Sequence, residues 1–125
     1  MPTGKAEWIV NETNTAASMA SGQLPVFATP ALVALMEKAA CAALEGALEE
    51  GISTVGARID VEHLAATPLG MRVRAEATLT AQEGRVYDFS IEAYDEAGLI
   101  GRATHRRVAV KSARFVEKAE GRKNA

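Results

Sequence analysis

One strongly apolar helix, followed only by strand-like segments, limits most how this chain can fold. Residues 31–44 read ALVALMEKAACAAL, a run rich in strong helix formers with only two charges. The pattern predicts a helix from about Pro30 to Glu50, with Thr29 as its capping hydroxyl and Gly51 as its stop. Because most of its surface is apolar, other elements must wrap around it. The narrow stripe expected to face water consists of Lys38, Ala42, Glu45 and Glu49.

Four β-strands are predicted after the helix, at about residues 53–66, 71–82, 85–95 and 99–113. A weaker first strand is expected around residues 7–17, and residues 18–28 read as a connecting loop. Short turns at residues 83–84 and 96–98 favour antiparallel pairing of the last three strands. The chain therefore predicts an α+β domain in which a curved antiparallel sheet folds around one helix.

The length of 125 residues corresponds to a single domain. We expect its core at about residues 5–115 and a charged, frayed tail at residues 116–125. A lone sheet leaves unpaired edges, so two copies are expected to pair edge to edge as a homodimer with a continuous sheet.

Composition argues against several classes of partner. A formal net charge of −2 gives no basis for a nucleic-acid or anionic-membrane surface. No run approaches the roughly 18 apolar residues of a membrane span, and without a signal-like apolar block the cytoplasm is the expected location. Cys41 is the only cysteine, which excludes an intramolecular disulfide. We expect Cys41 to pack on the buried face of the helix.

Glu37 is a carboxylate in apolar surroundings. Its helical neighbours three and four residues away are Val33, Ala34, Ala40 and Cys41. Such a carboxylate needs a partner, because desolvating it alone would cost roughly several kcal/mol. An arginine from the sheet would make it a structural ion pair, whereas a histidine would make it part of a catalytic site.

His63 is the second polar residue on an apolar face. Residues 57–64 alternate, so a strand there places Ile59, Val61 and His63 toward the core. Alone, His63 would be a core histidine, but with an inward Glu37 it forms the combination expected of an acid–base site. Two histidines without nearby carboxylates at ligand spacing argue against a zinc centre, and we expect neither a metal nor a cofactor.

Basic residues are concentrated near the last strand. They are Arg102, Arg106, Arg107, Lys111 and Arg114. Two interpretations stay open: a solvated face with ion pairs, or a local rim that binds phosphate. His105 lies in the same cationic stretch and is expected at the surface.

Several short motifs occur in a specific order. They are VFAT at residues 26–29, LME at 35–37, VEHLAATPLG at 61–70, a glycine at 56 and HRR at 105–107. Over about residues 24–115 they resemble the fluoroacetyl-CoA thioesterase-like family of acyl-CoA thioesterases. The order of elements is similar to the hotdog fold of these enzymes, a long helix wrapped by a curved antiparallel sheet.

The resemblance implies catalytic roles for Thr29, Glu37 and His63. Gly56 is similar to a glycine that lines the acyl pocket, and Arg107 corresponds to a substrate-binding position. The implied reaction is hydrolysis of a short or small acyl-CoA to the free acid and coenzyme A, whose phosphates would lie on the arginine-rich last strands. Glu37 acts either as the nucleophile or as the base that activates water.

The identity of the acyl group and the class of reaction both stay open. The segment SGQL at residues 21–24 has no aromatic side chain, and the motifs do not identify the acyl group. A non-catalytic acyl-CoA or small-ligand binding protein could use the same fold, as could an enoyl-thioester hydratase or dehydratase.

Overall fold

The computed structural model describes residues 2–124. Its elements in chain order are β1 (Thr3–Ile9), α1 (Thr29–Ala43), β2 (Ile52–His63), β3 (Arg72–Glu83), β4 (Val86–Asp95), β5 (Gly98–Lys111), α2 (Ser112–Gly121) and a 3-10 turn at Arg122–Asn124. The strands form one antiparallel sheet in the order β1-β3-β4-β5-β2. The predicted α+β architecture, with an antiparallel sheet against a central helix, is confirmed.

The helix α1 buries one face against the inner face of the sheet. Its buried residues are Ala31, Leu32, Leu35, Met36, Ala39, Ala40 and Ala43. Small residues such as Ala75 and Ala77 of β3 and Ala93 of β4 are also fully or almost fully buried, which lets the helix approach the sheet closely. The helix packs mainly on β1 and β3 and less on β2 and β4. The inner face of β2 is consequently only half-covered.

The strand β2 is an edge strand with a bulge that determines which side chains face the helix. It pairs with β5 so that Gly56 lies opposite Arg107, while the next register pair is Arg58 with Arg106. The extra residue between these pairs is Ala57. In a regular strand, residues seven apart point to opposite faces, but the bulge allows both Gly56 and His63 to face the helix side.

The ends of α1 differ from the prediction. The helix stops at Ala43 rather than near Glu50, because the chain turns at Gly46, whose φ of 78° is incompatible with a right-handed helix. At the other end Ala28 is the N-cap, and no side chain caps the helix. The prediction that Thr29 is the cap is therefore wrong, and its hydroxyl is free for another partner.

The terminal segments also differ from the prediction. The first strand is Thr3–Ile9, earlier than predicted, because Asn11 folds the following chain into a turn by accepting from the backbone N–H of Thr13 at 2.8 Å. The tail is helical through Gly121 rather than frayed, although α2 buries none of its residues. Within residues 2–124, no helix is long and apolar enough to cross a bilayer.

Candidate active site

Thr29 and His63 contact each other at the start of α1. The Thr29 Oγ1 lies 2.8 Å from the His63 Nδ1. The first residue of α1 therefore meets the last residue of β2, at a helix end whose free backbone N–H groups favour negative charge. Such an end can polarise a carbonyl and stabilise the oxyanion that forms from it.

The other ring nitrogen of His63 has no partner. Its Nε2 is buried and makes no hydrogen bond within residues 2–124. Burial lowers the pKa of His63 below its usual 6.5. The backbone of Ala65 lies near enough to the ring to offset this in part, although it makes no hydrogen bond to Nε2. A neutral imidazole at neutral pH can accept a proton. A pocket of about 290 Å³ lies beside this pair, and its lining includes Ser21, Val26 and Leu64.

Glu37 belongs to a second cluster, centred on Arg107. The Arg107 Nη1 donates to the Glu37 Oε2 at 3.2 Å. The guanidinium is held on its other sides because Nε donates to the Thr54 Oγ1 at 2.9 Å and Nη2 donates to the Thr54 carbonyl at 3.0 Å. Arg107 is buried, whereas the Glu37 side chain is 38% exposed and can be reached from outside. The arginine is thus a fixed support for an accessible carboxylate.

His105 completes the support of Arg107. Its Nδ1–H donates to the Arg58 carbonyl at 2.8 Å, which leaves Nε2 to accept from the Arg107 Nη1 at 3.1 Å. Burial is the main cause that lowers the pKa of His105, with the charge of Arg107 acting in the same direction. His105 is therefore a neutral acceptor, and its 4.0 Å approach to the Glu37 Oε2 is not an ion pair. The prediction that His105 lies at the surface is wrong, since it is 4% exposed.

Gly56 makes room for the Glu37 carboxylate. A Cβ at this position would lie 2.5 Å from the Glu37 Oε2 and 3.5 Å from both Arg107 Nη1 and His105 Cε1. Any other residue would displace the carboxylate from its position. Gly56 thus contacts the Glu37 cluster directly.

The two clusters are apart within one chain. Glu37 follows Thr29 by eight helical residues, which is a rise of about 12 Å. Within 4.0 Å of the Glu37 carboxylate the described chain places Arg107 and the neutral His105, and His63 is not among these neighbours. The structure thus brings Thr29 to His63 and Glu37 to Gly56 and Arg107, without a direct contact between Glu37 and His63.

Two further outcomes concern the residues around the site. Cys41 is exposed, so the prediction that it packs in the core is wrong, and Ala34 on the same side of α1 is exposed as well. Sequence reasoning missed the roles of His105 and Thr54. For His105, alternation was an available signal, since it shares the buried face of β5 with Arg107.

Within residues 2–124, no group of three His, Cys, Asp or Glu side chains is placed to hold a metal ion.

Most of the chain is similar to one family of known proteins. Residues 10–113 match the family model described as fluoroacetyl-CoA-specific thioesterase. The chain belongs to this family. Its relative in Streptantibioticus cattleyicolor, a fluoroacetyl-CoA thioesterase, is 40% identical over 90 residues, which cover 72% of this chain and 65% of that protein. The chain thus matches slightly less than two thirds of that relative.

Solved structures of thioesterases share the fold. A mutant of fluoroacetyl-CoA thioesterase in complex with acetyl-CoA superposes with a TM-score of 0.91 at 30% identity, covering 96% of this chain and 95% of that one. A Thermus thermophilus hypothetical protein of the thioesterase superfamily gives a TM-score of 0.89 at 31% identity, covering 98% and 90%. The expected hotdog fold is confirmed.

Proposed function

We propose that this protein hydrolyses the thioester of a short or small acyl-CoA, releasing the free acid and coenzyme A. The observation that carries the proposal is the buried, unpartnered Nε2 of His63, whose ring is held through Nδ1 by Thr29 beside a pocket. A buried polar atom without a partner is rare in a folded protein, and a catalytic role is one of the reasons for which such an atom is kept. The family relationship supports the same reaction.

The mechanism assigns one role to each group of the site. The thioester carbonyl lies at the N-terminus of α1, where the Thr29 hydroxyl and a backbone N–H polarise it. In one route the Glu37 carboxylate attacks the carbonyl carbon and the C–S bond breaks, so that coenzyme A leaves as a thiolate. His63 takes a proton from the water that opens the resulting anhydride, and this proton passes to the thiolate. In the other route Glu37 takes a proton from water as the water oxygen bonds to the carbonyl carbon. The C–S bond then breaks, and the proton reaches the departing thiolate through His63. Both routes give the acid and the free thiol.

The site is completed, in this proposal, by a homodimer. The edge strand β2 exposes an unpaired side over twelve residues, and Ala34 and Cys41 are exposed on α1. A two-fold axis that pairs two β2 strands antiparallel brings the start of one strand near the end of the other. Glu37, next to Gly56, then approaches His63 of the partner subunit. This arrangement explains why the two clusters are separate in a single chain.

Thiol release tests the reaction. The purified protein is incubated with acetyl-, fluoroacetyl-, medium-chain and aryl-CoA, and free coenzyme A is measured with a thiol reagent. We expect release of coenzyme A from at least one small acyl-CoA. In the cell, we expect the protein to act in the cytoplasm. Binding of acyl-CoA without release would favour the non-catalytic alternative, and water addition to an enoyl-CoA without release would favour a hydratase.

Subunit mixing tests the shared site. Glu37→Gln and His63→Ala variants are inactive alone, but a heterodimer of the two retains one site with both native residues if the site spans the interface. Random exchange should then restore about a quarter of the native activity. A site contained within one chain predicts no recovery. Light scattering at micromolar concentration should show twice the monomer mass.

A further inference from the structure

A large cationic cleft lies between the end of the sheet and α2. Its volume is about 770 Å³. Its lining carries four basic residues and a single acidic one, Glu117. The basic residues are Arg85, Lys111, Arg114 and Lys118. The cleft is separate from the pocket beside Thr29 and His63, with which it shares no lining residue.

The basic residues of this cleft have no acidic partners. None of the four forms an ion pair within residues 2–124, whereas Arg102, Arg106 and Arg107 pair with Glu62, Asp88 and Glu37. The predicted basic region of the last strand thus divides into two parts. The first three arginines are neutralised, and the cleft keeps an excess of positive charge in a concave surface. Such a surface attracts a polyanion.

The walls of the cleft are held to the sheet. The Ala109 N–H donates to the Arg85 carbonyl at 2.8 Å, which fixes the β3–β4 turn against β5. The Ser112 N–H donates to the Gly51 carbonyl at 2.9 Å, and the Ser112 and Ser53 hydroxyl groups also pair, which fixes the start of α2. The sheet side of the cleft and the start of α2 are therefore in place before any ligand binds, which reduces the ordering cost of binding.

The cleft lies on the same face of the sheet as the Glu37 cluster. Arg107, Ala109 and Lys111 alternate along β5 and so share that face. Ile52 pairs with Lys111 in the same register that pairs Gly56 with Arg107. The distance along β2 from Ile52 at the cleft to Gly56 at the Glu37 cluster is four residues, or about 13 Å. A pantetheine arm, which is about as long as four or five extended residues, can span this distance.

We propose that this cleft binds the phosphorylated nucleotide end of the coenzyme A thioester, an inference that rests on the proposed thioesterase function. The four cations would contact the diphosphate and the 3′-phosphate through charge-assisted hydrogen bonds. Phe115, which lines the cleft and is 44% exposed, provides an aromatic face for the adenine. The thioester would then extend along the sheet toward Glu37.

Truncated substrates test the cleft. The kcat/KM of the native protein is compared for one acyl-CoA, the matching acyl-dephospho-CoA and the matching acyl-pantetheine. A Lys111→Gln/Arg114→Gln double variant should lower the preference for acyl-CoA over acyl-pantetheine about tenfold, mainly through the KM for acyl-CoA. Part of this preference should already be lost with dephospho-CoA. The control is Arg122→Gln, a basic residue of the same terminal segment outside the lining, which should keep the native preference.

Direct binding separates this proposal from the proposed function. Adenosine 3′,5′-bisphosphate is titrated calorimetrically into the native protein and the double variant, and we expect about tenfold weaker binding to the variant. If the protein hydrolyses acyl-CoA but the double variant keeps the native preference, the proposed role of the cleft is wrong, while the proposed reaction stands. If no acyl-CoA is hydrolysed, the thioesterase proposal fails, and the titration still decides the cleft. Equal binding to both proteins would overturn it.

Discussion

The Thr29 hydroxyl is 2.8 Å from the His63 Nδ1, and it does not cap the helix that it begins. Because Ala28 holds the N-cap position, the threonine side chain is available to orient the imidazole and to meet a substrate carbonyl. Threonine at a helix start is usually explained by capping. Here the effect of its substitution should appear in activity rather than in stability.

Thr29→Ala should lower kcat about tenfold or more, because it removes a hydroxyl at the position of the developing oxyanion. The free energy of unfolding should change little, since no cap is lost. Thr29→Ser keeps the hydroxyl and is the matched control, with activity close to native. Steady-state kinetics and urea unfolding provide the two readouts. A Thr29→Ala enzyme with normal turnover would contradict the role.

Glu37→Gln should leave the fold intact and reduce thioester hydrolysis at least about a hundredfold, because it removes the anion needed by either route. Glu45→Gln, at an exposed glutamate just after the same helix, should have native activity. Combining Glu37→Gln with His63→Ala should cost little more than the worse single change, because groups that act as a unit are not additive. Native turnover of Glu37→Gln would overturn the role of Glu37 in both routes.

Gly56→Ala should lower kcat by displacing the Glu37 carboxylate. The added Cβ would meet the end of a side chain rather than backbone, so Glu37 can move and the protein should remain folded. A loss of about tenfold or more is expected, since small misplacement of a reacting group has large effects. Gly121→Ala, where an added Cβ meets nothing within 4 Å, is the control. Equal kinetics of both variants would argue against a fixed carboxylate.

Arg107→Lys should impair both stability and turnover. Lysine cannot reproduce the bonds to Glu37, His105 and Thr54, and buried acceptors would lose their donors. We expect a loss of about 1–3 kcal/mol in the free energy of unfolding, together with a lower kcat. Arg106→Lys, at the adjacent exposed ion pair with Asp88, should change little. Similar effects of the two substitutions would remove the special role of Arg107.

Acid should reduce both activity and stability. The pKa values of His63 and His105 are lowered below 6.5 in the folded protein. As pH falls below 6.5, the two histidines bind protons in the unfolded chain before they do so in the folded protein. Their contribution to the free energy of unfolding is therefore complete above pH 6.5 and is lost as the pH falls from 6.5 through the lowered pKa values.

The pH profile of kcat/KM should also show a loss toward acid. The value of kcat/KM should be level near neutral pH and fall on an acid limb with a midpoint below 6.5, as His63 becomes protonated. Urea unfolding at several pH values measures the stability part, and His105→Gln should reduce its slope. An acid limb that persists unchanged in the residual activity of His63→Ala would mean that His63 is not the titrating base.

The local pattern of the chain determined the helix–sheet architecture. The apolar run at residues 31–44 can form only a wrapped helix, and alternation with short turns predicts antiparallel strands after it, as the structure confirms. The inward position of Glu37 was predicted to need a partner, and Arg107 from the sheet supplies it. The helix, the strands and the position of Glu37 on α1 depend on periodicity and short-range sterics, which a sequence carries by itself.

The tertiary structure alone decided how the site is divided. The bulge at Ala57 changes the face of β2, so that Gly56 and His63 both turn to the helix, and this depends on pairing with β5 nearly fifty residues later. His105 and Cys41 have the opposite of their expected environments, because burial depends on which faces of the sheet and of α1 meet, rather than on local composition. The sequence alone thus determined the central helix and the antiparallel strands, and it singled out Glu37 and His63 as polar residues on apolar faces. Long-range packing decided which of those residues touch.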